Sequence, residues 1–141
     1  MANGDYFGVD RLRELIKPVE AIRAAIEKLV HEMNLDVTFH PKGWPGIRLK
    51  WVNNNDITCI VTLTMKDDYS LYGLAIAAHR DVEGKRYITM RHIDNELKIP
   101  FVTESIIEKI KQAITLCNTI RFEDLALSDY DKKQQKDNRQ H

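Results

Sequence analysis

The side chains best suited to chemistry in this chain are a histidine near two acids and a pair of adjacent carboxylates. His92 is followed by Asp94 and Glu96, so it could act as an acid or base, or orient a ligand. Its other interpretation is a histidine at a sheet edge, hydrogen-bonded to backbone or solvent. Asp67 and Asp68 are neighbours in a predicted tight turn, where turn geometry explains them better than acid–base catalysis does. His92 is therefore the one catalytic candidate.

The chain has no local signature of a metal, nucleotide or nucleophile site. It lacks GxxxxGK[ST], GxGxxG and GxSxG, and His31-Glu32 begins like HExxH but has Leu35 at the second histidine position. Cys59 and Cys117 lie on apolar faces and form no CxxC pair, which favours two buried thiols. We therefore predict no metal and no cofactor, and the motifs favour a non-enzymatic protein.

Composition indicates an ordinary globular domain. The chain has 141 residues, 43% hydrophobic and 30% charged, which is enough for a single core. Lys plus Arg and Asp plus Glu both number 21, and this zero net charge argues against nucleic acid or a membrane surface as a partner. The first residues do not resemble a signal peptide, and no apolar run approaches the roughly 20 residues that span a bilayer. We predict a cytoplasmic protein.

Two amphipathic helices flank the middle of the chain. Apolar residues recur at i+3 and i+4 behind Asp10, which predicts a helix kinked near Pro18, where proline removes a backbone donor. A second helix is capped by Thr103 or Ser105, and Ser105 can form a capping box with Glu108. Because residues 128–141 are polar and of mixed charge, we predict a single domain over residues 1–127 and a disordered polar tail.

Between the helices, alternating apolar residues predict a four- to five-stranded antiparallel meander. Keeping the apolar residues on one face selects a three-residue loop at 53–55 and a two-residue turn at 67–68. A three-residue loop ending at Gly84 then places His92 on the apolar face and Arg91 on the other. The fold class is α+β: an N-terminal helix, the meander and a C-terminal helix in a two-layer sandwich.

Small side chains mark the second face of this predicted sheet. Gly73 inside a strand weakens it and often indicates close approach by backbone or a helix. Either one of the chain's own helices packs on this face, or a second copy or another protein docks there. Trp44, in a Pro/Gly loop, either plugs the end of the core or anchors a partner. The predicted partner-binding residues are Gly73, Ala75, Ala77, Thr62, Arg91, Arg48 and Trp44.

These observations predict a non-enzymatic protein-interaction domain, an adaptor, chaperone or inhibitor-like module, that docks a protein partner or forms a homodimer. The helix–meander–helix order is similar to that of small secretion chaperones and immunity proteins, a likeness of fold alone. The alternative is a small-molecule-binding or enzymatic pocket between a curved sheet and a helix. Its lining would be His92 with Tyr72, Trp51 and Trp44.

Overall fold

A computed structural model gives the structure of residues 4–35, 37–39, 46–65, 71–98 and 102–139. The predicted α+β class is confirmed, since an N-terminal helix precedes one antiparallel sheet and helices follow it. The elements are α1 (Gly4–Glu32), β1 (Thr38–Phe39), β2 (Gly46–Val52), β3 (Thr58–Met65), β4 (Leu71–Val82), β5 (Lys85–Lys98), α2 (Thr103–Thr119), β6 (Ala126–Leu127) and α3 (Asp129–Arg139), with a 3₁₀ turn at Phe122–Asp124.

The strands form a meander in which each pairs with its neighbours in sequence, in the order β1 to β6. The five predicted strands correspond to β1–β5. The sixth was not predicted: after α2 the chain makes the 3₁₀ turn and returns to the sheet, where Leu127 lies opposite Tyr87. The ring of Phe122 in that turn lies 5.0 Å from the ring of Tyr87, so an aromatic contact holds the returning segment against β5.

One face of the sheet, named here the helix face, is the side on which Leu49, Val61 and Ile76 are buried. Helix α1 packs on β2, α2 packs on β3 and β4, and the two helices pack on each other. Each aliphatic side chain buried here contributes about 1.5–3 kcal/mol relative to exposure. The fully buried large side chains include Tyr72, Ile22, Ile26, Leu49, Ile57, Leu63, Leu74, Ile106, Ile110 and Ile114.

The first two predicted registers differ from the structure by two residues. Trp51 lies opposite Cys59 rather than Ile57, because the chain leaves β2 after Val52 and pairs again only at Thr58. Likewise Leu63 lies opposite Leu74 rather than Tyr72. A shift by two keeps each side chain on its face, so the apolar sides of β2, β3 and β4 are as the alternation predicts.

The β4–β5 hairpin corrects the predicted placement of β5. Val82 pairs directly with Lys85, so the loop is the two residues Glu83 and Gly84, with φ of 52° and 79°. Positive φ at both positions is the type I′ turn. The prediction assumed that glycine alone would be left-handed, which gives a loop one residue longer and exchanges the faces of β5.

Further along the same pair of strands, the ladder is irregular. Tyr72 lies opposite Leu97, Leu74 opposite Asp94 and Ala75 opposite His92. The longer strand is therefore bulged over residues 92–97, as is common at the side of a sheet.

The terminal segments also depart from the sequence expectation. Helix α1 starts at Gly4 and continues through Pro18, and the bend expected there stays a prediction. Helix α3 occupies most of the segment expected to be disordered. Its start is fixed by Ser128, whose hydroxyl accepts from the N–H of Asp131 at 3.3 Å and donates to that carboxylate at 2.9 Å. Within the described ranges, no helix has the length and apolar character needed to cross a membrane.

Candidate functional site

The face opposite the helix face, named here the open face, has one cross-strand row formed by Lys50, Ile60, Ala77 and Met90. The solvated face of an antiparallel sheet is usually polar, but here apolar side chains are exposed. Met90 is 69% exposed, and Val52 at the end of β2 is 60% exposed. Throughout the described part of this face from Arg48 to His92, every side chain is at least partly exposed.

The neighbouring row unites much of the predicted docking surface. Arg48 lies opposite Thr62, Thr62 opposite Ala75, and Ala75 opposite His92. Ala77 lies in the adjacent row. Both long helices contribute their buried residues to the cluster on the other face. In the described residues, therefore, neither α1 nor α2 packs on the open face, which was one of the two predicted alternatives.

Gly73 continues the same face by one further row, opposite Thr64 on β3. The group that approaches it is the chain's own Asn95, whose Oδ1 would lie 3.2 Å from a Cβ built on Gly73. The bulge in β5 brings Asn95 to this position. Close approach at Gly73 is thus an internal contact between β4 and β5 rather than evidence of a partner.

The predicted position of Arg91 is wrong. The type I′ turn places it opposite Ile76 on the helix face, not on the open face. There it lines a cavity of about 270 Å³ between the sheet and the end of α2, together with Ile76, Thr89, Leu116, Thr119, Ile120 and Asp124. Asp124 is engaged locally, as its carboxylate accepts from the backbone N–H of Arg121 at 2.8 Å. Trp44, the remaining predicted docking residue, lies outside the described residues.

The predicted position of His92 is also wrong. It was expected on the core side beside Leu74, but it is exposed on the open face opposite Ala75. The other described residues of the predicted pocket are core residues. Tyr72 is 0% exposed, and Trp51 is 4% exposed with its indole Nε1 donating to Asn118 Oδ1 at 2.9 Å. The pocket that combined them with His92 is therefore not formed.

A second histidine, His79, shares the open face with His92, whereas the predicted register put them on opposite faces. It lies between Thr58 and Ile88. Burial, followed by the charge of Arg86, lowers the pKa of His79. Arg86 is itself paired with Asp81, at 2.8 Å. To predict from the sequence that His79 and His92 share a face, the turn type had to be known. A glutamate at position 83 does not indicate a left-handed residue.

The two cysteines are core residues, as predicted. Both are fully buried and free, and Cys59 Sγ donates to the carbonyl oxygen of Cys117 at 3.3 Å. A side-chain hydrogen bond with Cys59, together with burial, raises the pKa of the Cys117 thiol, and the same hydrogen bond lowers the pKa of the Cys59 thiol. Neither thiol reaches solvent, and this complete burial disfavours thiolate chemistry at both positions. Across the described ranges, no three His, Cys, Asp or Glu side chains are grouped so as to hold a metal ion.

Comparison of the chain with protein-family models, curated proteins and solved structures finds no match.

Proposed function

We propose that this protein is a non-enzymatic interaction domain, a cytoplasmic adaptor, chaperone or inhibitor-like module, that docks a partner protein on its open face. The supporting observation is the exposure of apolar side chains on a sheet face that neither α1 nor α2 packs against. Met90, 69% exposed on β5 at the side of that face, is the clearest instance. Exposed apolar patches on soluble domains commonly mark interaction sites.

The chemistry of the face supports docking rather than turnover. Its central strands present short side chains, Thr62, Ala75 and Ala77, on which another backbone can lie closely. Met90 adds an adaptable, polarisable side chain of the kind found on surfaces that accept varied partners. Removing the exposed part of such side chains from water favours association by about 25 cal/mol per Å² of apolar area, before the costs of ordering.

The test is native mass spectrometry of the protein gently purified from its own cells, with and without Ala75→Glu. A second polypeptide in the complex is expected for the wild-type chain, and its loss is expected for the variant, because an unpaired carboxylate would be buried in the interface. Gln112→Glu adds the same charge on the exposed side of α2 and is the control. Both variants should keep the wild-type thermal transition. A bare monomer, or association that survives Ala75→Glu, contradicts the proposal.

A second candidate function is small-molecule binding in the cavity beside Arg91. The volume of about 270 Å³ approaches the range of ligand pockets. The Arg91 guanidinium forms no ion pair with any described residue. A monomer with a few hundred daltons of added mass would favour this function over docking. That mass should then disappear in Arg91→Ala and persist in Ala75→Glu.

A further inference from the structure

On the open face, short side chains on the two inner strands lie between longer side chains on the two flanking strands, and this arrangement is named here the trough. In the two central rows, the inner strands β3 and β4 supply Thr62, Ala75 and Ala77, with Ile60 the one larger side chain. The flanking strands β2 and β5 supply long side chains on both sides. The β2 wall consists of Arg48 and Lys50, and the β5 wall consists of Met90 and His92.

The dimensions of the trough match an α-helix. Its walls stand three strand spacings apart, which is about 14 Å at about 4.8 Å per spacing. A helix with its side chains is about 10–12 Å across. From Gly73 to His79 the floor runs about 20 Å along β4, the length of about 13 helical residues. Asn95, lying over Gly73, and His79 mark its two ends.

The charge of the walls gives the trough a polarity. Arg48 and Lys50 are exposed, and neither forms an ion pair with any described residue. Arg86, the next cation on this face, is neutralised by Asp81. The opposite wall presents the thioether of Met90. An occupant that fits both walls has carboxylates along one edge and apolar side chains along its centre and other edge.

We propose that the trough holds an amphipathic helix of a partner protein, with its apolar stripe on the Thr/Ala floor and an acidic edge against Arg48 and Lys50. This inference rests on the proposed function and specifies its partner. A helix satisfies its own backbone hydrogen bonds. An extended peptide lying on the face would not, since the floor strands already pair with each other.

Two other occupants fit the surface less well. A second copy docking through the same face would set one short-floored trough against another and leave a void, whereas packed sheets fill a gap of about 10 Å with side chains from both. Single-stranded nucleic acid is bound by aromatic side chains on which bases stack. The rows of the open face from Arg48 to His92 contain no aromatic residue except histidine.

The experiment uses a photo-crosslinking benzoylphenylalanine in place of Met90, introduced into the full chain in its own cells. Mass spectrometry of the crosslinked peptide should identify an amphipathic helical segment of another protein with acidic residues along one edge. The double variant Arg48→Glu, Lys50→Glu should reduce the crosslink yield about tenfold, since two attractive pairs become repulsive. The pair Lys28→Glu, Lys111→Glu makes the same charge change elsewhere and should leave the yield unchanged.

A designed probe provides the second measurement. A 13-residue helical peptide with an Ala/Leu stripe and glutamates along one edge is titrated against its lysine-edged counterpart. The wild-type chain should prefer the glutamate peptide by about tenfold, and the double variant should prefer the lysine peptide.

The outcomes separate this inference from the function on which it rests. A crosslink to another copy of the chain, to nucleic acid or to an extended segment overturns the helix. A partner crosslink whose yield is unaffected by Arg48→Glu, Lys50→Glu overturns the acidic edge and leaves protein docking intact. No crosslink at all removes both proposals, and equal affinity for the two peptides contradicts the assigned polarity.

Discussion

The side-chain amide of Asn53 donates to the backbone carbonyl of Cys117 at 2.9 Å, which joins the β2–β3 turn to the end of α2. The same amide donates to Ile120 at 3.0 Å, and its oxygen accepts from the N–H groups of Asn55 and Ile57. Carbonyls at a helix C-terminus have no partner within the helix. A turn that is distant in sequence therefore supplies the hydrogen-bond donors for the carbonyls at the end of α2.

Loss of this clamp should be costly. Asn53→Ala removes two donors and one doubly used acceptor from a residue that is 7% exposed, and should lower the free energy of unfolding by about 2–4 kcal/mol. The neighbouring Asn54→Ala, at an exposed position of the same turn, should change it by less than about 0.5 kcal/mol. Urea denaturation measures both. Similar losses from the two variants would show that the turn, not the clamp, is what matters.

The buried thiols should be unreactive in the folded protein. The side-chain hydrogen bond between them raises the pKa of Cys117 and lowers that of Cys59, so the protection of both thiols rests on their complete burial. Labelling with a disulfide reagent should be slower than for an unfolded chain by about 100-fold or more. Two thiols should react at once in denaturant. Rapid modification of one thiol under native conditions would contradict the packing described for Cys59 and Cys117.

The type I′ turn predicts a stabilising substitution. Glu83 is left-handed, with φ of 52°, and a non-glycine residue in this conformation is strained. Glu83→Asn creates the Asn-Gly pair that this turn prefers and should raise the free energy of unfolding by about 0.5–1 kcal/mol. Gly84→Ala, at φ of 79°, should lower it by about 1 kcal/mol. Thermal denaturation of the two variants checks the turn, and a destabilised Glu83→Asn would argue for the longer loop.

Asp94 should contribute to stability in a pH-dependent way. The backbone N–H of Glu96, at 2.9 Å, and then Lys109, at 3.0 Å, lower the pKa of Asp94 below its ordinary value. A lowered folded-state pKa means a contribution that is complete above the ordinary carboxyl pKa and lost as the pH falls through the folded value. At neutral pH, Asp94→Asn should cost about 0.5–1 kcal/mol, because the pair is partly exposed.

The matched control for this prediction is Glu104→Gln at an exposed position in the first turn of α2. The difference in the free energy of unfolding between wild type and Asp94→Asn should shrink in acid. The control leaves the pair of Asp94 and Lys109 intact, so its difference from wild type should not show this change. Denaturation midpoints from pH 7 downwards provide the measurement. A difference that stays constant over this range would mean that Glu96 and Lys109 do not lower the pKa of Asp94.

Hydrophobic periodicity in the sequence was sufficient to predict the order of elements from α1 to α2 and the faces of β2, β3 and β4, but not β6 or α3. Trp51 and Leu63 are each displaced by two residues from the predicted pairing, yet remain on the predicted face, because strand side chains repeat every two residues. The helix C-terminus held by Asn53 was not predictable from local pattern, since it joins residues far apart in the chain.

Only part of the candidate site could be predicted from alternation. Ala75 and Ala77 lie where alternation puts them, but the surfaces of β5 depended on a single backbone conformation at Glu83. That one angle moves Arg91 into the cavity on the helix face and brings Met90 and His92 to the open face. Local propensity disfavours a left-handed glutamate, so the choice is made by the packing of the whole hairpin.

The irregular pairing at the far end of β5 affects how readily another strand could pair with the edge of the sheet. In the described chain β6 pairs only with Tyr87 and Ile88, so the outer edge of β5 from Thr89 onwards presents backbone groups that another chain could extend. The bulge over residues 92–97 breaks the regular spacing that a growing intermolecular sheet requires. The bulge that brings Asn95 over Gly73 therefore makes this edge a poor template for a further strand.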